Sequence, residues 1–242
     1  MNQCTHTLAG KVAVITGAGR GIGRAIALAY ARAGAAVACS ARSASEIAET
    51  AALIKDAGGR ALAQAADVAD YDSVVALFQR VSDEFGGIDI VVANAGVATE
   101  QRRIEHSDPA QWRKTIDINL TGAYYTAHAA IPHLRRRGAG KMIMIGSGQR
   151  NRPAPGFSAY SCSKSGMWML TQSLALELHE YNISVNELIP GPVKTDLTRD
   201  APVPPGEWFK EPEDVVPMAL FLASMPDGGP TAQSFSLMRR AA

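Results

Sequence analysis

Two residues four apart, Tyr160 and Lys164, open the functional reading of this chain. They lie in the segment S-G-Q-R-N-R-P-A-P-G-F-S-A-Y-S-C-S-K, residues 147–164, which reads helical onward to Tyr181. At 3.6 residues per turn a four-residue spacing puts both side chains on one helix face. Ser147 follows the apolar run K-M-I-M-I-G, which has the length and type of a strand. A strand end and a helix face can thus bring a hydroxyl, a phenol and an ammonium together. A phenol titrates near 10 when unperturbed, too high for acid–base work at neutral pH. A neighbouring lysine cation favours the phenolate and brings that value down. Tyr160 would then give a proton to a developing alkoxide or take one from an alcohol. Ser147 would hold the substrate oxygen by a hydrogen bond that strengthens as charge develops. Tyr-x-x-x-Lys by itself is weak, because any solvated helix face can carry it.

The elements that would position these groups alternate strand and helix. Lys11 to Thr16 is a short β-branched strand, followed by Gly17-Ala-Gly-Arg-Gly-Ile-Gly23 and an Ala-rich helix. A glycine turn opening a helix is a dinucleotide-phosphate site, since backbone N–H groups face the anion and glycine lets it approach. The register, Gly17-x-x-x-Gly21-x-Gly23, departs from G-x-G-x-x-G, with Ile22 in the third glycine position. After the second strand, Ala36 to Ser40, an NAD-type fold usually carries an acid for the ribose hydroxyls. Here the chain reads Ser40-Ala-Arg-Ser43, with no acid before Glu46. Arg42, and Arg20 within the glycine turn, suit a 2′-phosphate instead. NADP(H) is therefore the expected cofactor, with NAD(H) possible if both arginines are simply solvated.

Further strands are expected at Arg60–Ala66, closed by Asp67-Val68; at Ile88–Ala93, ended by Asn94-Ala-Gly96; and at Ile183–Ile189, broken by Pro190-Gly-Pro-Val-Lys-Thr195. Asp67 would accept from an adenine amino group, or serve only as a helix N-cap. One long helix is expected over Asp108–Arg137, with Pro132 near its end and a distortion at Asn119, a poor mid-helix residue. A last helix is expected over Glu213–Ala223 and a last strand over Ala232–Leu237. The pattern implies an α/β fold: a Rossmann-type, doubly wound parallel sheet of about seven strands flanked by helices. The chain reads as one domain over residues 1–242, with 196–210 as a short lid carrying Trp208 and Phe209, or with those aromatics packed beneath the loop.

Composition narrows the classes. The chain has 242 residues, 47% hydrophobic and 19% charged, with net charge +1. This favours a large core and a homo-oligomer, and gives no support to nucleic-acid or membrane binding. Cys4, Cys39 and Cys162 are odd in number and scattered, which suits reduced, mostly buried thiols and a cytoplasmic protein. No histidine has metal-type spacing, and no metal site is expected.

Together these residues resemble the short-chain dehydrogenase/reductase family, over nearly the whole chain from Leu8 to about Leu237. The resemblance rests on the glycine turn, on Asp67, on Asn94-Ala95-Gly96, on Asn119, Ser147, Tyr160 and Lys164 in order and spacing, and on Asn186 with Pro190-Gly191. It implies Tyr160 as general acid/base and Lys164 as the group that lowers its pKa and holds the nicotinamide ribose. Ser147 would orient the substrate oxygen, and Asn119 would anchor a water leading from Lys164 to solvent. The implied cofactor set is Gly17, Arg20, Gly21, Ile22 and Gly23 from the turn and Arg42 after the second strand. Asp67, Val68, Asn94 and Gly96 follow the third and fourth strands, and Pro190, Gly191, Val193 and Thr195 follow the sixth. Tyr160 and Lys164 serve both roles. The implied activity is hydride transfer between a small carbonyl or alcohol substrate and NADP(H), and the implied homo-oligomer is a tetramer or dimer. An NAD-dependent polyol dehydrogenase and a non-catalytic dinucleotide sensor stand as alternatives. The chain departs from the family at Ala93, in the short 196–210 excursion and at its C-terminus. Gln149, Arg150, Asn151 and Arg152 are expected either to line the pocket mouth, favouring a polar or anionic substrate, or to form a solvated loop.

Overall fold

The structure is a computed structural model that describes residues 7–198 and 208–239. Seven strands form one parallel sheet in the order β3-β2-β1-β4-β5-β6-β7. They are β1 Val12–Thr16, β2 Ala36–Ala41, β3 Arg60–Ala65, β4 Ile90–Ala93, β5 Gly140–Ile145, β6 Ile183–Ile189 and β7 Ser234–Ser236. The interior strands are apolar on both faces because helices cover both faces, as parallel sheets require. Alternation in β1 shows the division. Val12 and Val14 join the core beneath α3 (Tyr71–Phe85), α5 (Gly122–Arg137) and α6 (Ser158–Leu178). Ala13 and Ile15 join the opposite core beneath α1 (Gly21–Arg32), α2 (Ala44–Asp56) and α7 (Val216–Ser224). The order reverses between β1 and β4, which opens a crevice at the carboxyl ends of these strands.

Several expectations change. The long helix over Asp108–Arg137 is three segments: α4 (Pro109–Ile116), a π-helical turn (Asp117–Thr121) and α5. The distortion expected at Asn119 is that π turn, the usual form of an extra residue accommodated in a helix. The helix runs through Pro132 to Arg137, as expected, and stops at Gly138 with φ 76°. The last helix begins as a 3-10 turn, Pro212–Val215, and the last strand contracts to three residues paired with β6. Cys39 is buried but Cys162 is exposed on α6, against the expectation of buried thiols; Cys4 lies outside the described residues.

Candidate active site

The glycine turn sits where β1 delivers the chain to α1. Gly17 and Gly21 hold φ values of 66° and 54°, a left-handed conformation that side chains disfavour. Gly23 is required by contact instead. A Cβ there would stand 2.2 Å from the Gly17 carbonyl oxygen, so only glycine lets the helix fold back on the turn. The N-cap of α1, Arg20, provides no side-chain acceptor, and the first turn carries no acid. The orphan N–H groups and the positive helix end therefore face the crevice. Asn94 bolts the turn in place: its Nδ2 donates to the Thr16 and Gly17 carbonyls at 2.9 and 3.2 Å. Thr16 Oγ1 in turn accepts from the Asn94 and Ala95 N–H groups, both at 3.1 Å.

The crevice is a cleft of about 1230 Å3. Its walls include Gly17, Arg20, Gly21 and Ile22 from the turn, Arg42 beyond β2, and Asp67 and Val68 beyond β3. Asn94, Gly96, Pro190, Gly191, Val193 and Thr195 join them, with Ser147, Tyr160 and Lys164 at the far end. Two expected residues do not line it. Gly23 acts through packing. Asn119 is buried, its Oδ1 accepting from Val97 N and its Nδ2 donating to Val97 O, both at 2.8 Å, and to Ser163 Oγ at 3.0 Å. Its side chain ties the segment after β4 to α6. The Asp67 side chain accepts from Ala69 N in a local turn, while the N-cap of α3 is Asp70, so the capping alternative for Asp67 fails.

The two arginines behave differently. Arg20 is spanned by two carboxylates, Glu46 at 3.3 Å and Asp196 at 2.9 Å. Arg42 is exposed and has no ion-pair partner among the described residues. Glu46 was not expected in the cleft, yet it lines it beside Arg42. Its sequence signal was its place just past the second strand, where a ribose-binding acid is sought. The 3-10 turn Asp196–Thr198 also lines the cleft, opposite Gly21; a Cβ on Gly21 would meet Thr195 Cγ2 at 3.2 Å. Of the expected lid, residues 199–207 lie outside the described residues. Phe209 faces the cleft. Trp208 is stacked between Lys210 Nζ and the Arg239 guanidinium, 4.0 and 4.4 Å from its ring centre.

At the far end of the cleft α6 carries Tyr160 and Lys164 on one face, as their spacing requires. Lys164 is buried and donates to the Ile145 carbonyl at 2.7 Å, with its Nζ 5.8 Å from the Tyr160 ring centre. Ser147 caps the 3-10 turn Gly148–Arg150 by accepting from Gln149 N at 3.2 Å, and it lines the cleft together with Tyr160. Burial pushes the Tyr160 phenol above its ordinary value, and the hydrogen bond from Ser147 pulls it part of the way back. Lys164 is not among the groups that move it in this balance. Burial works on the lysine as well, bringing Lys164 down to about 8 although the Glu187 carboxylate opposes the shift. None of Gln149, Arg150, Asn151 and Arg152 lines the cleft. Gln149 accepts from Ser161 on α6, and Arg150 turns inward.

These residues fit a dinucleotide. The turn has backbone donors and no Cβ where phosphates would lie, and a polar trio closes the other end of a long cleft. The short chain dehydrogenase family profile matches residues 11–203. The chain is 38% identical over 235 residues to cis-4-hydroxycyclohexanecarboxylate dehydrogenase of Sinomonas cyclohexanicum, covering 90% of this chain and 91% of that one. It is 37% identical to 3beta-hydroxysteroid dehydrogenase 1 of Eggerthella lenta, covering 90% and 88%. Among solved structures, carveol dehydrogenase from Mycobacterium avium in complex with NAD superposes with a TM-score of 0.89 at 29% identity, covering 96% of this chain and 97% of that one. The chain belongs to the short-chain dehydrogenase/reductase family. It is an oxidoreductase of the CH–OH/C=O kind, in a family that uses NAD(P). Among the described residues no helix is long and apolar enough to cross a membrane.

Proposed function

We propose that the protein is an NADP(H)-dependent oxidoreductase that interconverts a ketone or aldehyde and its alcohol, with Tyr160 as general acid/base. A nicotinamide held in the cleft would supply or accept the hydride. Tyr160 gives its proton to the developing alkoxide during reduction and takes it back during oxidation. Its high proton affinity in the buried site suits the donor role. Ser147 holds the substrate oxygen beside the phenol. Lys164, tied to the end of β5, keeps the α6 face in register with Ser147 and offers a cation to the ribose. Asn119 fixes the neighbouring backbone through Val97 and Ser163.

The cofactor preference rests on one observation: the free guanidinium of Arg42 at the cleft edge, available for a 2′-phosphate. A second reading, NAD(H), is favoured by Glu46, whose carboxylate lines the same end and matches the charge of Arg20. Titration of the purified protein with NADPH and NADH separates them, followed by a panel containing cis-4-hydroxycyclohexanecarboxylate, its ketone, cyclohexanone and simple polyols. Tighter NADPH with ketone reduction supports the proposal. Tighter NADH with polyol oxidation replaces it, and binding without turnover on any panel compound moves weight to a sensor.

Free thiols at Cys39 and Cys162 suit a reducing compartment, so a cytoplasmic location belongs to the same reading. Exposed apolar side chains on α5 and α6, Tyr124, Met169 and Leu176, favour a homo-oligomer, which sedimentation of the purified protein would detect.

A further inference from the structure

Arg150 has the type and position of a substrate-binding cation, yet the fold turns it away from the cleft. Its side chain is 11% exposed and its Nε lies 3.1 Å from Oε2 of Glu187, which is 0% exposed. In β6 the odd-numbered Ile183 and Val185 face the α3/α5/α6 layer, so alternation points Glu187 toward α6. A fully buried carboxylate there is costly unless matched by charge and hydrogen bonds. Ser234 Oγ of β7 donates to Oε2 at 2.7 Å, and the Arg150 guanidinium also stacks 4.2 Å over the Trp168 ring of α6.

The pair closes on the turn that carries Ser147. Glu187 Oε1 packs against Gly146, the residue before Ser147, where an added Cβ would stand 2.1 Å from it. Arg150 ends the 3-10 turn that Ser147 caps; its N–H donates to the Ser147 carbonyl at 3.2 Å, and its own carbonyl accepts from Ser165 Oγ of α6 at 2.7 Å. The end of β5, the Ser147 turn, α6, β6 and β7 therefore meet at one ion pair, beside the helix face that carries Tyr160 and Lys164. Replacing a buried pair of this kind by well-packed apolar groups is often neutral or favourable for stability. Stability alone therefore does not account for its presence.

We propose that Glu187 and Arg150 are positioning residues, a buried ionic clamp that holds Ser147 in register with Tyr160. The proposal rests on the reading of Ser147 and Tyr160 as catalytic groups. It further assigns the specificity of Gly146 to this clamp, because no larger residue coexists with the Glu187 carboxylate.

The test uses the full chain and the best substrate from the panel above. Three variants are compared with wild type: Glu187→Gln, the double variant Glu187→Leu/Arg150→Met, and Tyr160→Phe. Each is measured for thermal midpoint, NADPH affinity, and kcat and KM. Glu187→Gln keeps size but leaves the Arg150 cation without a counter-charge. It is expected to lower kcat by about 10-fold or more while NADPH affinity stays within about twofold, because the glycine turn lies at the other end of the cleft. The double variant removes both charges and fills the space. It is expected to regain the thermal midpoint but not kcat, a split that a purely structural role would not produce. If Glu187→Gln fails to fold, the double variant alone decides. Recovery of kcat together with stability in the double variant overturns the clamp, as does a folded Glu187→Gln with kcat within twofold of wild type. Tyr160→Phe separates the two levels. Retained turnover there means the catalytic reading has failed, whereas lost turnover there with unaffected clamp variants means that only this inference has failed.

Discussion

At the glycine turn, the proposed dinucleotide site, the working surface is backbone. Gly17 and Gly21 take left-handed turns that side chains disfavour, Gly23 makes room for the Gly17 carbonyl, and the side chains nearby, Thr16 and Asn94, brace the loop. At the end of the cleft proposed to be catalytic the working surface is side chains. Lys164 and Glu187 are titratable groups held out of water, Tyr160 is half-buried at the cleft wall, and burial moves the proton affinity of each. Both regions sit at the carboxyl edge of the same sheet. The first is sensitive to what is added and the second to what is removed.

That contrast can be broken at either end. The largest expected effect outside Tyr160 itself is at Lys164. Lys164→Met removes the cation and leaves the Ile145 carbonyl without its donor; steady-state assays should show kcat/KM reduced by about 10²-fold or more. The glycine end responds to addition. Gly23→Ala drives a Cβ into the Gly17 carbonyl and Asn94, and should lower stability by about 1–3 kcal/mol and weaken dinucleotide binding. Denaturant unfolding and a cofactor titration check it, and a normal affinity would show that the turn yields more easily than its contacts imply. Arg42→Ala tests recognition at the adenosine end. It should weaken NADPH by roughly 10–100-fold, the range for a lost charge-assisted contact, with NADH little changed. Equal effects on the two would remove Arg42 from the cofactor assignment.

The smallest effect concerns stability and pH. Lys164 titrates near 8 in the folded chain and near its unperturbed 10.5 when unfolded. Between those values the unfolded state binds more protons, so this group makes stability rise with pH across that window. Below about 8 both states hold the proton and the contribution is flat. The unfolding free energy of wild type minus that of Lys164→Met should therefore increase from pH 8 toward 10.5. A flat or falling difference would place Lys164 in a more hydrated site.

Much of the architecture was legible because strand and helix periods differ and glycine breaks them. The β1–glycine turn–α1 unit and the Tyr160/Lys164 face needed only local spacing. The break at Asn119 was legible as a poor helix residue, but its π form was not, since nothing local distinguishes one extra residue from a kink. Arg150 shows the limit more sharply. Its sequence neighbours suggest an exposed loop, and only the long-range approach of Glu187, 37 positions on, turns it inward. Glu46 and Asp196 likewise reach Arg20 from separate elements, so the charge of Arg20 is matched in a way that the glycine motif alone does not reveal.

The most direct test of the account is Tyr160→Phe, measured for NADPH affinity and for ketone reduction in the same preparation. The phenol is half-buried and lines the cleft with Ser147, and a phenylalanine keeps its ring. The account predicts a loss of roughly 10²–10⁴-fold in turnover with dinucleotide affinity essentially unchanged. Turnover within a few-fold of wild type would contradict it, because the proton would then come from a group other than the one the site is built around.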